Sequence, residues 1–196
     1  MCNYQFREII PKRRTDIEHK ARYQEYKQQL REDFNSRCGY CNDHESWRNS
    51  YYEIDHFIPK IYLNEDKHSS YDNLVFSCRY CNNAKRHKWP TQDRNSPNNG
   101  TEGFVDPCSE EYDSLFKRNA LGEIIPQNEL GIWMYKELKL FLARHSLLWQ
   151  IERIERILKE FRRKGLHNNE DTKELFIKMS CYFQDFIEQL REENAR

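Results

Sequence analysis

The sequence predicts an α+β protein in which a small cysteine-rich module lies between an N-terminal helix and a helical C-terminal region. Two Cys-x-x-Cys pairs, short runs of aromatic and branched residues beside them, and apolar residues at helical spacing in the last third favour this class. We divide the chain into a helical lead-in (1–36), the module (37–90), a loop-rich connector (91–127) and a helical region (128–196).

Composition and charge exclude several classes of protein. The 196 residues include 32 basic and 32 acidic side chains, so the net charge is zero, and any attraction to nucleic acid must be local. No stretch approaches the roughly 18 apolar residues of a membrane span, so we expect no membrane protein. The first residues lack the apolar core of a signal peptide, so we expect a cytoplasmic protein.

The lead-in predicts one helix over residues 15–34. It opens with Thr15-Asp16-Ile17-Glu18, which matches a capping box, and apolar residues then recur at a spacing of three or four up to Leu30. This helix would deliver the chain to the first cysteine pair.

The module predicts two short strands followed by a helix. Residues 51–54 are typical of a strand, and residues 71–76 of a loop that enters a second strand. Residues 82–88 are typical of a helix that stops before Pro90, because proline disfavours helix at the preceding residue.

The connector predicts a loop over residues 91–110 and a turn between short extended pieces over residues 119–126. The tail predicts three amphipathic helices, over residues 128–144, 147–164 and 171–192. Asn128 is a suitable N-cap, and Gly165 is suitable as the residue after a helix. Ordinary helix packing explains these apolar stripes better than a membrane or cofactor role.

The cysteines predict a structural zinc site. The chain has seven, and an odd number without a secretory signal argues against a disulfide framework. Four of them form the two Cys-x-x-Cys pairs: Cys38, Cys41, Cys78 and Cys81. Each pair can hold one face of a tetrahedral Zn²⁺, and four thiolates leave no position for a reacting water. Four unlinked thiols are the less favoured alternative. The 36 residues between the pairs are an insertion, and we expect it to hold the chemistry.

The insertion and its borders carry further residues in a fixed order: Glu53-Ile54-Asp55-His56-Phe57-Ile58-Pro59, then Asn73-Leu74, then Cys81-Asn82-Asn83-Ala84-Lys85. With the cysteine pairs, this pattern over residues 38–88 resembles the HNH endonucleases, which have the ββα-metal fold. The resemblance implies a metal-dependent endonuclease that hydrolyses phosphodiester bonds of nucleic acid. DNA is the expected substrate, and RNA remains open.

The resemblance also implies roles for single residues. His56 matches the general base, and a neutral imidazole can accept a water proton near pH 7. Asp55 and Asn82 match the ligands of the catalytic cation, and their oxygen atoms suit Mg²⁺ or Mn²⁺ better than zinc. Asn82 stands where the family name has a histidine. Asn73 matches the middle asparagine, which steadies the loop of the base, although asparagine is also an ordinary turn residue.

A basic strip with interleaved aromatic residues surrounds the second cysteine pair. Such a strip suits a phosphate backbone, and a solvated charged face is the alternative. The residues expected to contact nucleic acid are Arg79, Lys85, Arg86 and Lys88.

The tail has a resemblance of its own. Gly103–Pro107, Gly122–Pro126 and the helices from Trp133 to Trp149 are similar to the tails of small bacterial HNH nucleases. These include the HNH partners of ATPases in Septu-type anti-phage systems, which implies antiviral defence and an ATPase partner on the C-terminal helices. Two alternatives remain: a non-catalytic zinc-stabilised module that binds nucleic acid or protein, and a toxin or homing nuclease. Asp55, His56 and Asn82 favour an enzyme, because a pure zinc module does not need them.

Overall fold

The computed structural model describes residues 4–47 and 51–195, and within them it contains five β-strands and six α-helices. Two compact units make up the chain. Unit 1 consists of Met1–Ala120 and Ile124–Phe141, and unit 2 of Leu121–Glu123 and Leu142–Arg196. Apart from Leu121–Glu123, the units divide after Phe141, whereas the segments drawn from the sequence divide at residue 128.

The module folds as two strands and a helix, as predicted. Strands β2 (Tyr52–His56) and β3 (Leu74–Cys78) pair antiparallel, and helix α2 (Arg79–Lys85) follows β3 directly. The predicted bounds of the helix were wrong, because it begins at Arg79 and ends at Lys85. Its N-terminus is set by Cys78, whose Sγ accepts a hydrogen bond from the N–H of Cys81 at 3.5 Å.

The lead-in differs from its prediction. Helix α1 covers only Lys27–Asp33 and is preceded by a 3₁₀ turn at Tyr23–Tyr26, so the predicted helix start at Thr15 is wrong. Long-range contacts override the local capping signal here. The Nε of Arg14 donates to Asp33 Oδ1 at 2.7 Å, and the Nε of Arg13 donates to the carbonyl of Leu74 at 2.6 Å.

A second sheet of unit 1 contains β1 (Tyr4–Gln5), β4 (Phe116–Arg118) and β5 (Ile124–Pro126), antiparallel and in the order β1-β4-β5. Helix α3 (Glu110–Ser114) precedes β4. The turn predicted over 119–126 is confirmed, whereas β1 had no sequence signal. Residues 91–109 form turns and a single β-bridge, as predicted for a loop.

Helix α4 (Glu129–Glu137) begins after Asn128, whose Oδ1 accepts a hydrogen bond from the N–H of Gly131 at 2.7 Å.

The core of unit 1 is largely aromatic, which compensates for the scarcity of aliphatic residues in the module. Its largest fully or nearly buried aromatic side chains are Phe6, Tyr26, Phe34, Tyr40, Phe76, Trp89, Phe104, Tyr112 and Phe116. Several of them come from outside the module, and the hydroxyl of Tyr112 donates to the carbonyl of Tyr40 at 2.7 Å. The flanking segments therefore complete the core on which the module rests.

Unit 2 contains α5 (Ala143–Arg163) and α6 (Glu170–Ala195), which pack antiparallel. Gly165 follows α5 with a φ of 69°, as predicted for this position. The predicted break between the first two tail helices lies elsewhere, because α4 ends at Glu137 and α5 already begins at Ala143. In the described part of the chain, every helix is too short or too polar to cross a membrane.

Candidate functional site

The four cysteines of the two pairs meet in the interior of unit 1. All are buried, and their sulfur atoms lie within 4.8 Å of one another. The Sγ atoms of Cys41 and Cys78 are 3.8 Å apart. Four sulfurs bound tetrahedrally at about 2.3 Å from one ion lie about 3.8 Å from each other. The cluster therefore fits a metal such as zinc, and burial raises the pKa of the Cys41 thiol, so a thiolate there needs a compensating cation.

Two backbone features shape the first pair. The N–H of Asn42 donates to the carbonyl of Cys38 at 2.9 Å, and the N–H of Gly39 donates to Phe76 in β3 at 2.9 Å. A Cβ atom at Gly39 would lie 2.8 Å from the side chains of both Phe34 and Val75, so only glycine fits between them. The second pair needs no separate loop, because it forms the first turn of α2.

His56 ends β2 and is 8% exposed, and the centre of its ring lies 4.7 Å from that of Tyr23. Its Nε2 lies 2.7 Å from the carbonyl oxygen of His68. Because a carbonyl only accepts, Nε2 carries the proton and Nδ1 keeps its lone pair. Burial lowers the pKa of His56 below its usual 6.5, so the imidazole is neutral at pH 7. The ring has the protonation state that a general base requires.

Asn73 holds the loop that follows β2. Its Oδ1 accepts from the N–H of Ile58 at 2.8 Å, and its Nδ2 donates to the carbonyl of Ile58 at 3.0 Å. Asn73 also ends a 3₁₀ turn, Tyr71–Asn73. It is therefore both a turn residue and a residue that steadies the loop after His56. The double hydrogen bond fixes the backbone two residues beyond His56.

Asp55 is buried, and one of its oxygens is already bound. Oδ2 accepts from the hydroxyl of Tyr40 at 2.6 Å and lies 3.0 Å from the ammonium of Lys85. Tyr40 lies between Cys38 and Cys41, so its hydrogen bond connects the Asp55 carboxylate to the four-cysteine cluster. Burial, with Asp55 beside it, raises the pKa of Tyr40 and keeps that hydroxyl a proton donor.

The structure corrects the expectation for Lys85. This side chain is fully buried, and its ammonium also donates to the carbonyl of His56 at 2.8 Å. A buried ammonium that is paired in this way is not available to a phosphate backbone. Lys85 therefore holds Asp55 and the end of β2 in place.

Asn82 lies in α2, half-buried, and its Nδ2 donates to Glu53 Oε2 at 2.6 Å. The amide is thereby oriented, with Oδ1 as its remaining acceptor. The motif in the sequence assigns no role to Glu53. Its position two residues before Asp55, on the same face of a strand, was the signal that pointed to it.

Asp55, His56 and Asn82 line one cleft of about 220 Å³. Arg86 and His87 line the same cleft. Carboxylate and amide oxygens are suitable ligands for a hard divalent cation, and a neutral imidazole lies beside them. The cleft thus combines the groups that metal-assisted hydrolysis needs.

The remaining residues of the basic strip have different environments. Arg79 and Arg86 are exposed, and only Arg86 of this pair is among the residues that line the cleft. The ammonium of Lys88 lies 2.6 Å from Glu137, which neutralises part of its charge. Arg86 is therefore the member of the strip best placed to contact a bound phosphate.

The module resembles a known protein family in its sequence. Residues 38–88 match the family model for the HNH endonuclease. The match confirms the resemblance for the module and indicates a role as a nuclease or in nucleic-acid binding. No curated protein and no solved structure matches the chain. The resemblance of the tail to Septu-type proteins stays a prediction.

Proposed function

We propose that this protein is a metal-dependent endonuclease that hydrolyses phosphodiester bonds of nucleic acid, with DNA as the expected substrate. The observation that carries the proposal is the shared cleft, in which a neutral His56 lies beside Asp55 and Asn82. A module that only binds zinc and nucleic acid has no use for this combination.

His56 acts as the general base. Its Nδ1 accepts the proton of the attacking water, while Nε2–H remains bound to the carbonyl of His68 and holds the ring in one orientation. Asn73 keeps the following loop in place through Ile58. Arg86 meets the phosphate at the edge of the cleft.

The two metals have separate tasks. Mg²⁺ or Mn²⁺ held by Asp55 and Asn82 would supply positive charge to the leaving oxygen. Tyr40 and Lys85 fix the Asp55 carboxylate, and Glu53 fixes the Asn82 amide, so both ligands are oriented in advance. Zn²⁺ in the four-cysteine cluster is structural, because its four sulfurs complete the shell.

The test is a cleavage series on plasmid DNA, single-stranded DNA and RNA, with added Mg²⁺ or Mn²⁺. We expect cleavage that excess EDTA stops, and we expect Asn82→Ala to abolish it while the zinc content stays unchanged. Asn83→Ala is the matched control, because that side chain is exposed on the same helix. If the wild-type protein cuts none of the three substrates with either ion, the alternative of a non-catalytic zinc-stabilised binding module replaces this proposal.

We also propose a role in bacterial anti-phage defence with an ATPase partner that docks on the C-terminal helices. Two observations support it: the resemblance of the tail, and large apolar side chains of α6 that are about half exposed, namely Leu175, Ile177 and Tyr182. An ATPase encoded beside this protein should copurify with it and alter its cleavage rate. A monomer that cuts at the same rate with and without that ATPase would contradict this role.

A further inference from the structure

We propose that a groove beside the catalytic cleft stacks an unpaired base next to the phosphate that is cut, so that the preferred substrate is single-stranded DNA or DNA with unpaired nucleotides. The position of the cut phosphate rests on the proposed function. The binding of the base rests on the groove itself.

The groove has a volume of about 350 Å³ and lies between the start of the lead-in helix and strand β2. We call it the tyrosine groove, after its lining residues Tyr23, Gln24, Lys27, Tyr51, Tyr52, Glu53, Ile54 and Asn82. Ile54 and Asn82 also line the catalytic cleft. The two cavities therefore adjoin, and a strand of nucleic acid can occupy both.

Tyr51 provides the stacking surface of the tyrosine groove. This residue is 76% exposed and lines the groove, so its ring is accessible to a ligand. Tyr52 is buried instead, and its hydroxyl donates to the carbonyl of Asp43 at 2.7 Å, so it belongs to the wall. An exposed tyrosine ring can stack on any base, because every base has a π-face.

The other end of the groove leads to the catalytic base. The ring of Tyr23 contacts that of His56, and the ammonium of Lys60, a residue of the catalytic cleft, lies 4.1 Å from the centre of the Tyr23 ring. Lys27, one helical turn after Tyr23, is exposed at the rim. Positive charge at the rim and an aromatic surface inside are the two features that single-strand binding sites combine.

Pairing decides which substrate the groove accepts. A base inside a duplex is stacked between its neighbours, and exposing its face to Tyr51 costs unstacking and unpairing. A base in a single strand needs far less of this, so the groove discriminates in favour of unpaired nucleotides.

The test measures binding separately from cleavage. All proteins carry His56→Ala to prevent turnover, and binding of a fluorescent single-stranded DNA and of its duplex is followed by anisotropy at fixed salt. We expect an added Tyr51→Ala to weaken single-strand binding by roughly 5- to 150-fold, the range for one base stacked on an aromatic ring, and to leave duplex binding nearly unchanged. Tyr51→Phe should bind as the parent does. Tyr182→Ala, which removes a half-exposed tyrosine from α6, is the matched control.

Equal single-strand binding by the parent and Tyr51→Ala would overturn the proposal, and so would an equal loss for single strand and duplex. Failure of the nuclease itself would look different. In that case the protein with an intact His56 cuts nothing, whereas the selective loss on Tyr51→Ala persists and the groove stands as a single-strand binding site.

Discussion

The module (37–90) and the α5–α6 hairpin are held together by different kinds of interaction. In the module, sulfur and polar groups share the interior with aromatic side chains: the four cysteines, Asp55, His56, Asn73 and Lys85 are all buried. In α6, a helix of 26 residues, Leu190 is the one buried side chain among those described, although apolar residues recur along its length.

The difference follows from what each kind of sequence pattern specifies. The spacings of the cysteines and of the motif residues point to specific side chains, so they predict which side chains lie close together in the fold. Apolar periodicity identifies only the apolar face of a helix. It therefore predicts the helix and does not predict what packs against that face. Substitutions of the same type in the two regions should therefore have very different effects.

The largest contrast concerns cysteine. We expect Cys78→Ser to remove the zinc and unfold the module, because structural zinc contributes on the order of 10 kcal/mol or more to the folding of small domains. Cys181→Ser, at an exposed position of α6, should keep one zinc per chain and the wild-type melting temperature. Metal analysis measures the zinc content of both variants, and circular dichroism measures whether they are folded. A wild-type protein that is folded without zinc would contradict the prediction.

The next contrast concerns catalysis. We expect His56→Ala to slow cleavage by about 10²- to 10⁴-fold while zinc content and nucleic-acid binding are retained. His44→Ala, which changes a histidine bonded to Ser46, should cut at nearly the wild-type rate. If His56→Ala cuts as fast as the wild-type protein on its best substrate, the proposed mechanism is wrong.

The pH profile sharpens the same prediction. Only the neutral imidazole accepts a proton, so the rate should rise with pH through the pKa of His56 and level off above it. Because burial lowers this pKa, the rise should be centred below 6.5, the usual value for histidine. His44→Ala should show the same profile as the wild-type protein.

The sequence predicted the parts of the site that depend on spacing. It placed the four cysteines in one cluster and predicted two strands followed by a helix, which bring Asp55, His56 and Asn82 to one cleft. It missed what depends on partners far along the chain. In the sequence, Lys85 is one of several basic residues near the second cysteine pair. Its burial follows from the ion pair with Asp55, thirty residues earlier in the chain.

The helix start at Thr15 failed for the same reason. Residues 15–18 do match a capping box, but no helix begins there. Arg14 is hydrogen-bonded to Asp33, and the chain between these two residues is not helical before Tyr23. Strand β1 is only two residues long and is defined by its pairing with β4. The local sequence therefore contains no pattern that predicts it.

Buried and exposed ion pairs provide a third contrast. Lys85→Met removes the partner of a buried carboxylate, and we expect it to lower the free energy of unfolding by about 3–5 kcal/mol. Lys159→Met breaks the exposed pair with Glu155 on α5 and should cost about 0–1 kcal/mol. Urea unfolding of the zinc-loaded proteins measures both. A Lys85→Met protein of wild-type stability with weakened DNA binding would restore the original expectation that Lys85 contacts phosphate.

The smallest effect is expected on the exposed face of α6. Leu190→Ala empties a buried position and should cost about 2–5 kcal/mol, whereas Leu175 is 50% exposed and Leu175→Ala should change stability by less than about 0.5 kcal/mol. Thermal unfolding at several protein concentrations measures both variants. Should Leu175→Ala cost as much as Leu190→Ala, and more so at high concentration, the face would be covered by another copy of the chain. The hairpin would then resemble the module, because its stability would also depend on a specific partner.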